Sequence, residues 1–239
     1  KGKQKFENKF QPVFINDSKY EDMGSVFFDP DRDGDLDLFV VSGGVECEPG
    51  DPILQDRLYI NDGNGNFGRA AEGLIPKLNE SGSVVSVADI NQDGRDDLFI
   101  GGRTVPGNYP SSPRSFILIN SGARFINETQ KVAPSLANAG MVTSAIFSDV
   151  NNDDWPDLLV TYEWGPVRFY LNDKGRLSDK TSMVGLDFRY NNKGFQARGQ
   201  VIYANNTNVK AYNTFTLRFK NSCNLIKNIN GYTLTNVGD

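Results

Sequence analysis

Three aspartate-rich loops recur along this chain at a fixed interval, and this repeat constrains the fold more strongly than any other feature. Loop 1 (residues 29–37), loop 2 (residues 89–97) and loop 3 (residues 149–157) each begin with an aspartate, 60 residues after the one before. A constant period of this length is typical of repeat architectures. Oxygen-bearing side chains occupy positions 1, 3, 5 and 9 of each loop, which is the ligand spacing of a loop that wraps one hard cation. The sequence therefore predicts a repeat protein with up to three calcium loops.

Each loop is predicted to bind its cation through four side chains and one backbone carbonyl. Glycine at position 6 permits the sharp bend that such a loop needs. The predicted side-chain ligands are Asp29, Asp31, Asp33 and Asp37 in loop 1, Asp89, Asn91, Asp93 and Asp97 in loop 2, and Asp149, Asn151, Asp153 and Asp157 in loop 3. The predicted carbonyl ligands belong to Asp35, Arg95 and Trp155. Position 12 carries no glutamate, so the loops are not EF-hands.

The alternative interpretation of these loops is a set of metal-free Asx turns. Three or four carboxylates within a few ångströms repel one another unless a cation lies among them, which favours metal binding. Loop 3 departs from the pattern, because Asp154 replaces the glycine of position 6 and Pro156 precedes the last ligand. Because aspartate adopts the left-handed backbone region less readily than glycine, loop 3 is predicted to be the weakest of the three sites.

Short apolar segments flank each loop in the same order. Runs rich in β-branched and aromatic residues before and after each loop are typical of buried strands, and an Asn- or Gly-containing turn after the third run is typical of a hairpin. The predicted strands are 24–28, 36–41 and 57–61, then 83–88, 97–100 and 115–120, then 143–148, 157–161 and 167–172, with fourth strands from Phe67, Phe125 and Leu177. Four antiparallel strands per unit predict an all-β fold, a β-propeller-type array with blades at about residues 24–80, 83–140 and 143–185.

The two ends of the chain fit this scheme less well. Residues 2–6 align with residues 63–67, so they are predicted to form the outer strand of another blade. That strand either completes the last blade of a closed ring or belongs to a larger propeller, and both interpretations remain open. Residues 186–239 contain no further Asp loop but retain apolar alternation. They are expected to form a divergent fourth blade or a separate β-rich unit.

Composition excludes several classes of function. The 239 residues include no histidine, which removes Ser-His-Asp and Cys-His nucleophile systems and His-ligated metal sites. A net charge of −5 with no basic patch argues against a nucleic-acid partner, and no apolar run approaches the length of a membrane span. Cys47 and Cys223 are compatible with one disulfide or with two free thiols. With no signal peptide and no initiator methionine, the sequence is expected to be a mature or truncated product.

The Asp loops with their trailing Asp-Leu pairs, and the hairpin at residues 58–67, resemble the FG-GAP/VCBS repeat family over roughly residues 2–185. A narrower resemblance, to the bacterial subgroup related to cartilage acidic proteins, rests on Gly101-Gly102-Arg103 and residues 106–110. Family members are calcium-binding β-propellers, including the head of integrin α subunits. The resemblance implies a non-catalytic, calcium-stabilised binding or adhesion scaffold that is secreted, periplasmic or at the cell surface. Weak calcium loops, with dissociation constants of about 10⁻⁴–10⁻³ M, also require the calcium concentrations found outside cells.

The loops that join the second and third strands of each blade lie at the end opposite the calcium loops. They span residues 42–56, 102–114 and 162–166, and they carry aromatic and arginine side chains of the kind that binding surfaces use. The predicted ligand-binding residues are Arg103, Tyr109, Arg114, Tyr162 and Trp164. The expected partner is a protein or a carbohydrate.

Two other classes of function stay open at this point. One alternative is a structural subunit of a larger surface assembly. The other is an accessory domain of a carbohydrate-active enzyme, or an enzyme in which Glu46, Glu48 and Glu163 supply paired carboxylates for glycoside cleavage. Tyr109 with Arg103 is a corresponding pair for a lyase. An enzyme is expected to show a deep pocket of converging charges among the loops that join the second and third strands. A lectin or adhesin is expected to show a shallow aromatic surface there, and a structural subunit is expected to bury that surface against another chain.

Overall fold

The computed structural model describes residues 8–181 with their side chains and the backbone of the strands Met183–Asn192, Phe195–Ala204 and Phe215–Phe219. The predicted outer strand at residues 2–6 lies outside the described residues, and so does most of the predicted tail. The chain divides into two units, one of Lys1–Gly165 with Phe169–Asp179 and one of Pro166–Arg168 with Lys180–Asp239. The three strands named above form an antiparallel sheet in the second unit.

Three four-stranded antiparallel sheets make up the first unit, which confirms the predicted all-β class with four strands per repeat. The first sheet contains β1 (Asp22–Phe28), β2 (Asp37–Ser42), β3 (Arg57–Asn61) and β4 (Phe67–Arg69). The second contains β5 (Gly82–Ala88), β6 (Asp97–Gly102), β7 (Phe116–Asn120) and β8 (Phe125–Asn127). The third contains β9 (Met141–Ser148), β10 (Asp157–Glu163), β11 (Arg168–Asn172) and β12 (Leu177–Asp179). In each sheet the strands are neighbours in chain order.

The sheets pack face to face, with the second sheet between the other two. Side chains alternate along a strand, so adjacent residues of β6 face opposite sheets. Leu98 belongs to a core cluster with Phe39 of the first sheet, whereas Phe99 belongs to a cluster with Leu158 of the third sheet. All residues of β6 are buried as a result. This arrangement explains why residues 98–100 of β6 form a continuous apolar run.

Each Asp loop connects the first and second strands of its sheet. The register pairs Phe28 with Asp37, and the equivalent pairs Ala88 with Asp97 and Ser148 with Asp157 close loops 2 and 3 in the same way. The ninth residue of every loop is therefore also the first residue of a buried strand. The conformation of the loop is therefore coupled to the register of the first two strands of its sheet.

Two short helices were not predicted from the sequence. They are α1 (Pro12–Asn16), which begins with a proline, and α2 (Thr129–Val132). Segments of this length contain too few residues for an apolar period of 3.6 to be recognised. Phe14 of α1 packs edge-on against Tyr59, with ring centroids 5.1 Å apart. Residues 70–79, which connect the first sheet to the second, contain no helix.

Candidate functional site

The first aspartate of each loop organises the bend through its two carboxylate oxygens. In loop 1, Asp29 accepts hydrogen bonds from the backbone N–H groups of Arg32, at 2.7 Å, and Gly34, at 3.1 Å. In loops 2 and 3 the donors are the N–H groups of positions 5 and 6, which are Asp93 and Gly94 to Asp89, and Asp153 and Asp154 to Asp149. The three loops therefore share one Asx-type turn, which is the local reason for their common shape.

Position 6 needs the left-handed backbone region in all three loops. Its φ angle is 93° at Gly34, 78° at Gly94 and 68° at Asp154. Aspartate enters this region more easily than most residues with a side chain, because its short polar group bonds locally. Loop 3 thus keeps the same bend despite its substitution. That its metal site is the weakest of the three stays a prediction.

The carboxylates of loop 1 converge. Asp29, Asp31 and Asp33 each place an oxygen within 4.8 Å of the others, close enough for a single cation to bind all three. Loops 2 and 3 carry asparagine at the third position instead. The side-chain N–H of Asn91 donates to Asp93 at 3.2 Å, and that of Asn151 donates to Asp153 at 2.9 Å. Loop 1 therefore has carboxylates at all four predicted ligand positions, whereas loops 2 and 3 each have three.

The ninth residue of each loop is a buried aspartate that joins the second strand to the third. Asp37 accepts a hydrogen bond from the backbone N–H of Asn61 at 2.7 Å. In the same way Asp97 accepts from Asn120 at 2.8 Å and Asp157 accepts from Asn172 at 2.7 Å. These aspartates were predicted only as metal ligands, and the structure shows that they also hold the strands in register.

Loop 1 differs from loops 2 and 3 in the hydrogen bonding of the second carboxylate oxygen of the ninth residue. In loops 2 and 3 it accepts the backbone N–H of position 2, from Ile90 to Asp97 at 3.0 Å and from Val150 to Asp157 at 3.1 Å. Loop 1 has Pro30 at this position, and proline has no N–H to donate. Asp37 is 1% exposed, and its Oδ2 atom has no hydrogen-bond partner among the described residues.

Burial changes the acidity of these carboxyl groups. Burial raises the pKa of Asp37 to about 6, with smaller contributions from nearby carboxylates of loop 1. Burial likewise raises the pKa of Asp97 to about 7. The pKa of Asp35 is also raised, by desolvation first and then by Asp33 and Asp31. Its Oδ1 atom is a second buried oxygen that lacks a partner within the described ranges. A divalent cation would relieve both the repulsion and the unpaired oxygens, so the residues of loop 1 fit such an ion.

Three asparagines at the ends of the third strands connect the loops to one another. The side-chain N–H of Asn120 donates to the carbonyl of Pro30 in loop 1, and that of Asn172 donates to the carbonyl of Ile90 in loop 2, both at 2.9 Å. Among the described residues, the side-chain N–H of Asn61, in the first sheet, donates to the carbonyl of Leu36 in its own loop, at 3.2 Å, and to no other sheet. This role was not predicted, although an asparagine recurs at this point of every repeat.

Four side chains of the opposite loops form a hydrogen-bonded group, the aromatic platform, made of Arg103, Tyr109, Glu163 and Trp164. The indole N–H of Trp164 donates to the Tyr109 hydroxyl at 2.7 Å, and that hydroxyl donates to Glu163 Oε1 at 3.1 Å. Glu163 Oε2 forms an ion pair with Arg103. Three of the five predicted ligand-binding residues thus meet at one place.

The other two predicted ligand-binding residues lie elsewhere. Tyr162 is buried in the core between the second and third sheets, and its hydroxyl contacts that of Tyr170. Arg114 pairs with Glu80 at 3.0 Å and lies over the ring of Phe116. Neither side chain belongs to the aromatic platform.

A comparison with protein families identifies a match to the FG-GAP-like repeat over residues 29–100. The matched segment starts at the first residue of loop 1 and ends within β6, so it includes loops 1 and 2. Residues 29–100 therefore form an FG-GAP-like repeat, and the family resemblance inferred from the sequence is confirmed. No curated protein matches the chain. Among the described residues, no helix is long and apolar enough to cross a membrane.

Proposed function

We propose that this chain is a calcium-stabilised scaffold of the β-propeller type that binds a partner outside the cytoplasm and carries out no catalysis. The observation that supports this most directly is the free Oδ2 atom of Asp37, buried beside the clustered carboxylates of loop 1. A buried carboxylate oxygen without a partner is unfavourable, and a hard cation is the ligand that best relieves it.

Loop 1 would hold the cation through the side chains of Asp29, Asp31, Asp33 and Asp37 and the carbonyl of Asp35. When bound, Ca²⁺ neutralises the clustered negative charge. The protein's own part is to fix the second strand: Asp37 is both a ligand and the residue that accepts the N–H of Asn61. Metal binding and strand register are therefore coupled. Loops 2 and 3 are proposed as further sites through their equivalent residues.

The stacking of the repeat sheets supports the propeller arrangement. Each step along the chain repeats the same contacts, with an apolar core between neighbouring sheets and an asparagine bond from one sheet to the preceding loop. We propose that the three sheets act as consecutive blades. In this arrangement the calcium loops stiffen one end of each blade, and the opposite loops are free to contact a partner.

The binding role is supported by the aromatic platform. Trp164 is 81% exposed and Tyr109 is 59% exposed, yet both are held by hydrogen bonds. Ordered, exposed aromatic side chains are typical of recognition surfaces. Both carboxylate oxygens of Glu163 are already engaged, which disfavours a role for this residue as a catalytic acid or base.

Calcium titration tests this function. We expect heat of binding on adding Ca²⁺ to chelator-treated protein and a higher melting temperature in calcium than in EGTA. The stabilisation amounts to about 2.7 kcal/mol per site when free Ca²⁺ is a hundredfold above the dissociation constant. Identical melting curves in calcium and in EGTA, with no heat of binding, would refute the calcium role. Recovery of the native protein from the cytosolic fraction of its source cells would refute the location.

A further inference from the structure

The orientation of Trp164 limits what can bind to the aromatic platform. Its indole N–H is already donated to Tyr109, at 2.7 Å, so the ring has no free hydrogen-bond donor. The backbone of Trp164 has a φ angle of 62°, which is unfavourable for a bulky residue. A strained, exposed and hydrogen-bonded tryptophan presents chiefly the two faces of its ring. The complementary ligand therefore stacks on the ring and does not need the indole N–H.

The charges around the ring disfavour a cationic ligand. The binding of a cation to an aromatic face is strengthened by a free carboxylate nearby. Here Glu163 receives the Tyr109 hydroxyl on one oxygen and Arg103 on the other. The negative charge next to the platform is therefore already balanced.

The size of the platform disfavours a protein partner. A stable protein interface buries roughly 800 Å² on each partner around an apolar centre. The platform consists of two exposed aromatic rings bordered by an ion pair. Arg114, on the same loop as Tyr109, is paired with Glu80 and adds no apolar surface. A ligand about the size of one or two rings matches the area available.

We propose that Trp164 and Tyr109 form a stacking platform for a sugar ring, with Arg103 and Glu163 bonding to its hydroxyl groups. A pyranose has faces of C–H groups, which are attracted to the negative face of an aromatic ring. Its hydroxyl groups point outward from the ring edge. The guanidinium of Arg103 has five N–H donors and the carboxylate of Glu163 has unused lone pairs, so both can bond to a hydroxyl while keeping their contact with each other. This assignment rests on the proposed binding function and gives its ligand class.

Fluorine NMR tests the platform directly, because the chain has only two tryptophans, Trp155 and Trp164. Protein labelled with 5-fluorotryptophan is titrated with cellohexaose, chitohexaose, mannohexaose, xylohexaose and maltohexaose in calcium buffer. The Trp164→Phe variant assigns the two resonances. We expect at least one oligosaccharide to shift the Trp164 resonance saturably while leaving that of Trp155, in loop 3, unchanged. Absence of a saturable shift with all five oligosaccharides would overturn the proposal.

Variants separate stacking from nonspecific binding. Tyr109→Ala removes the partner of the indole N–H and is expected to lower the affinity for the oligosaccharide at least tenfold. The matched control is Arg114→Ala on the same loop, which is expected to change the affinity less than twofold. Equal effects of the two substitutions would count against the platform. Saturation-transfer NMR on unlabelled protein gives a second measurement, with transfer to the sugar C–H protons expected in the wild type and lost in Trp164→Ala.

The calcium response of the same samples separates this inference from the proposed function. A melting temperature that rises with Ca²⁺, without any oligosaccharide binding, overturns only the sugar assignment. A melting temperature that does not respond to Ca²⁺ overturns the calcium-stabilised scaffold, whatever the sugar titration shows.

Discussion

Loops 1, 2 and 3 share one sequence pattern and one backbone bend, but the aspartate at their ninth position makes different hydrogen bonds. Asp97 and Asp157 accept backbone N–H groups on both oxygens. Asp37 accepts one on a single oxygen, and its other, buried oxygen has no partner in the described part of the chain. The cause is one residue, since Pro30 stands where Ile90 and Val150 donate. The shared loop pattern therefore contains two arrangements of the ninth aspartate, and we expect loop 1 to rely more on a bound cation than loops 2 and 3 do.

The third position of the loops strengthens this contrast. In loop 1 it is Asp31, which adds a third converging carboxylate. In the other loops it is Asn91 or Asn151, whose amide donates a hydrogen bond within the loop. We therefore expect loop 1 to depend most on calcium and the other loops to hold their shape better when calcium is removed.

The largest expected effect is that of Asp97→Ala in calcium-free buffer. This substitution leaves the buried N–H groups of Ile90 and Asn120 without acceptors, and we expect the free energy of unfolding to fall by about 3 kcal/mol. Asp37→Ala removes only one such bond and also removes an unpaired buried charge, so it should cost about 1 kcal/mol or less. Urea denaturation in EGTA measures both values. Equal losses would show that the two aspartates are equivalent, and a larger loss for Asp37→Ala would reverse the expected order.

Removing a ligand from different loops should change the calcium response unequally. Asp33→Ala is expected to remove about 2.7 kcal/mol of calcium stabilisation, at a hundredfold excess of Ca²⁺ over the dissociation constant. Asp93→Ala should abolish the response of its own sheet, and Asp153→Ala should matter least because loop 3 lacks the glycine of position 6. Melting curves with and without Ca²⁺ give the ranking. A greater effect of Asp153→Ala than of Asp33→Ala would reverse the contrast between the loops.

The asparagine that supports loop 1 from the neighbouring sheet offers a matched pair of variants. Asn120→Ala loses the buried bond to the carbonyl of Pro30, and we expect a destabilisation of about 1–2 kcal/mol. Asn61→Ala is the control. It loses the equivalent local bond to Gly65 and an exposed bond to Leu36, but no bond to another sheet. Equal losses of stability, measured by urea denaturation, would mean that the bond between sheets contributes little.

The acidity of Asp37 predicts how calcium stabilisation varies with pH. Its pKa is about 6 in the folded protein and 3.8 ordinarily, so the calcium-free folded state holds this proton to higher pH than the unfolded chain does. Stability without calcium thus falls as pH rises between these values, whereas Ca²⁺ binding requires loss of the proton. We expect the calcium-induced rise in melting temperature to be smaller at pH 5 than at pH 7.5. Asp33→Ala should show a smaller difference, because only the sites of loops 2 and 3 still respond to calcium in this variant.

The smallest expected effect is that of Pro30→Ala on stability without calcium. The new N–H can donate to Asp37, which adds about 1 kcal/mol, while the unfolded chain gains freedom worth about 0.4–1 kcal/mol. The two effects nearly cancel in EGTA. The calcium-induced rise in stability should nevertheless decrease, because Oδ2 of Asp37 now accepts the new N–H. An unchanged calcium affinity by titration calorimetry would show that Pro30 does not control the site.

The strands and loops were predictable from the sequence because their signals are local. The period of 60 residues, the apolar runs and the turn residues located each strand to within a few residues. The oxygen-bearing positions of the loops followed from spacing alone. The short helices α1 and α2 gave no such signal, since four or five residues do not show a helical period.

Contacts between distant residues were decided by the tertiary structure. The free oxygen of Asp37 depends on a bend that brings Pro30 back towards the start of β2, and the bond from Asn120 to Pro30 joins residues 90 positions apart. Tyr162 and Trp164 are only two residues apart in the sequence, but the first lies in the core and the second is exposed. Spacing along the chain determines which atoms a loop offers, whereas packing of the sheets determines which of those atoms already have partners and which remain free to bind.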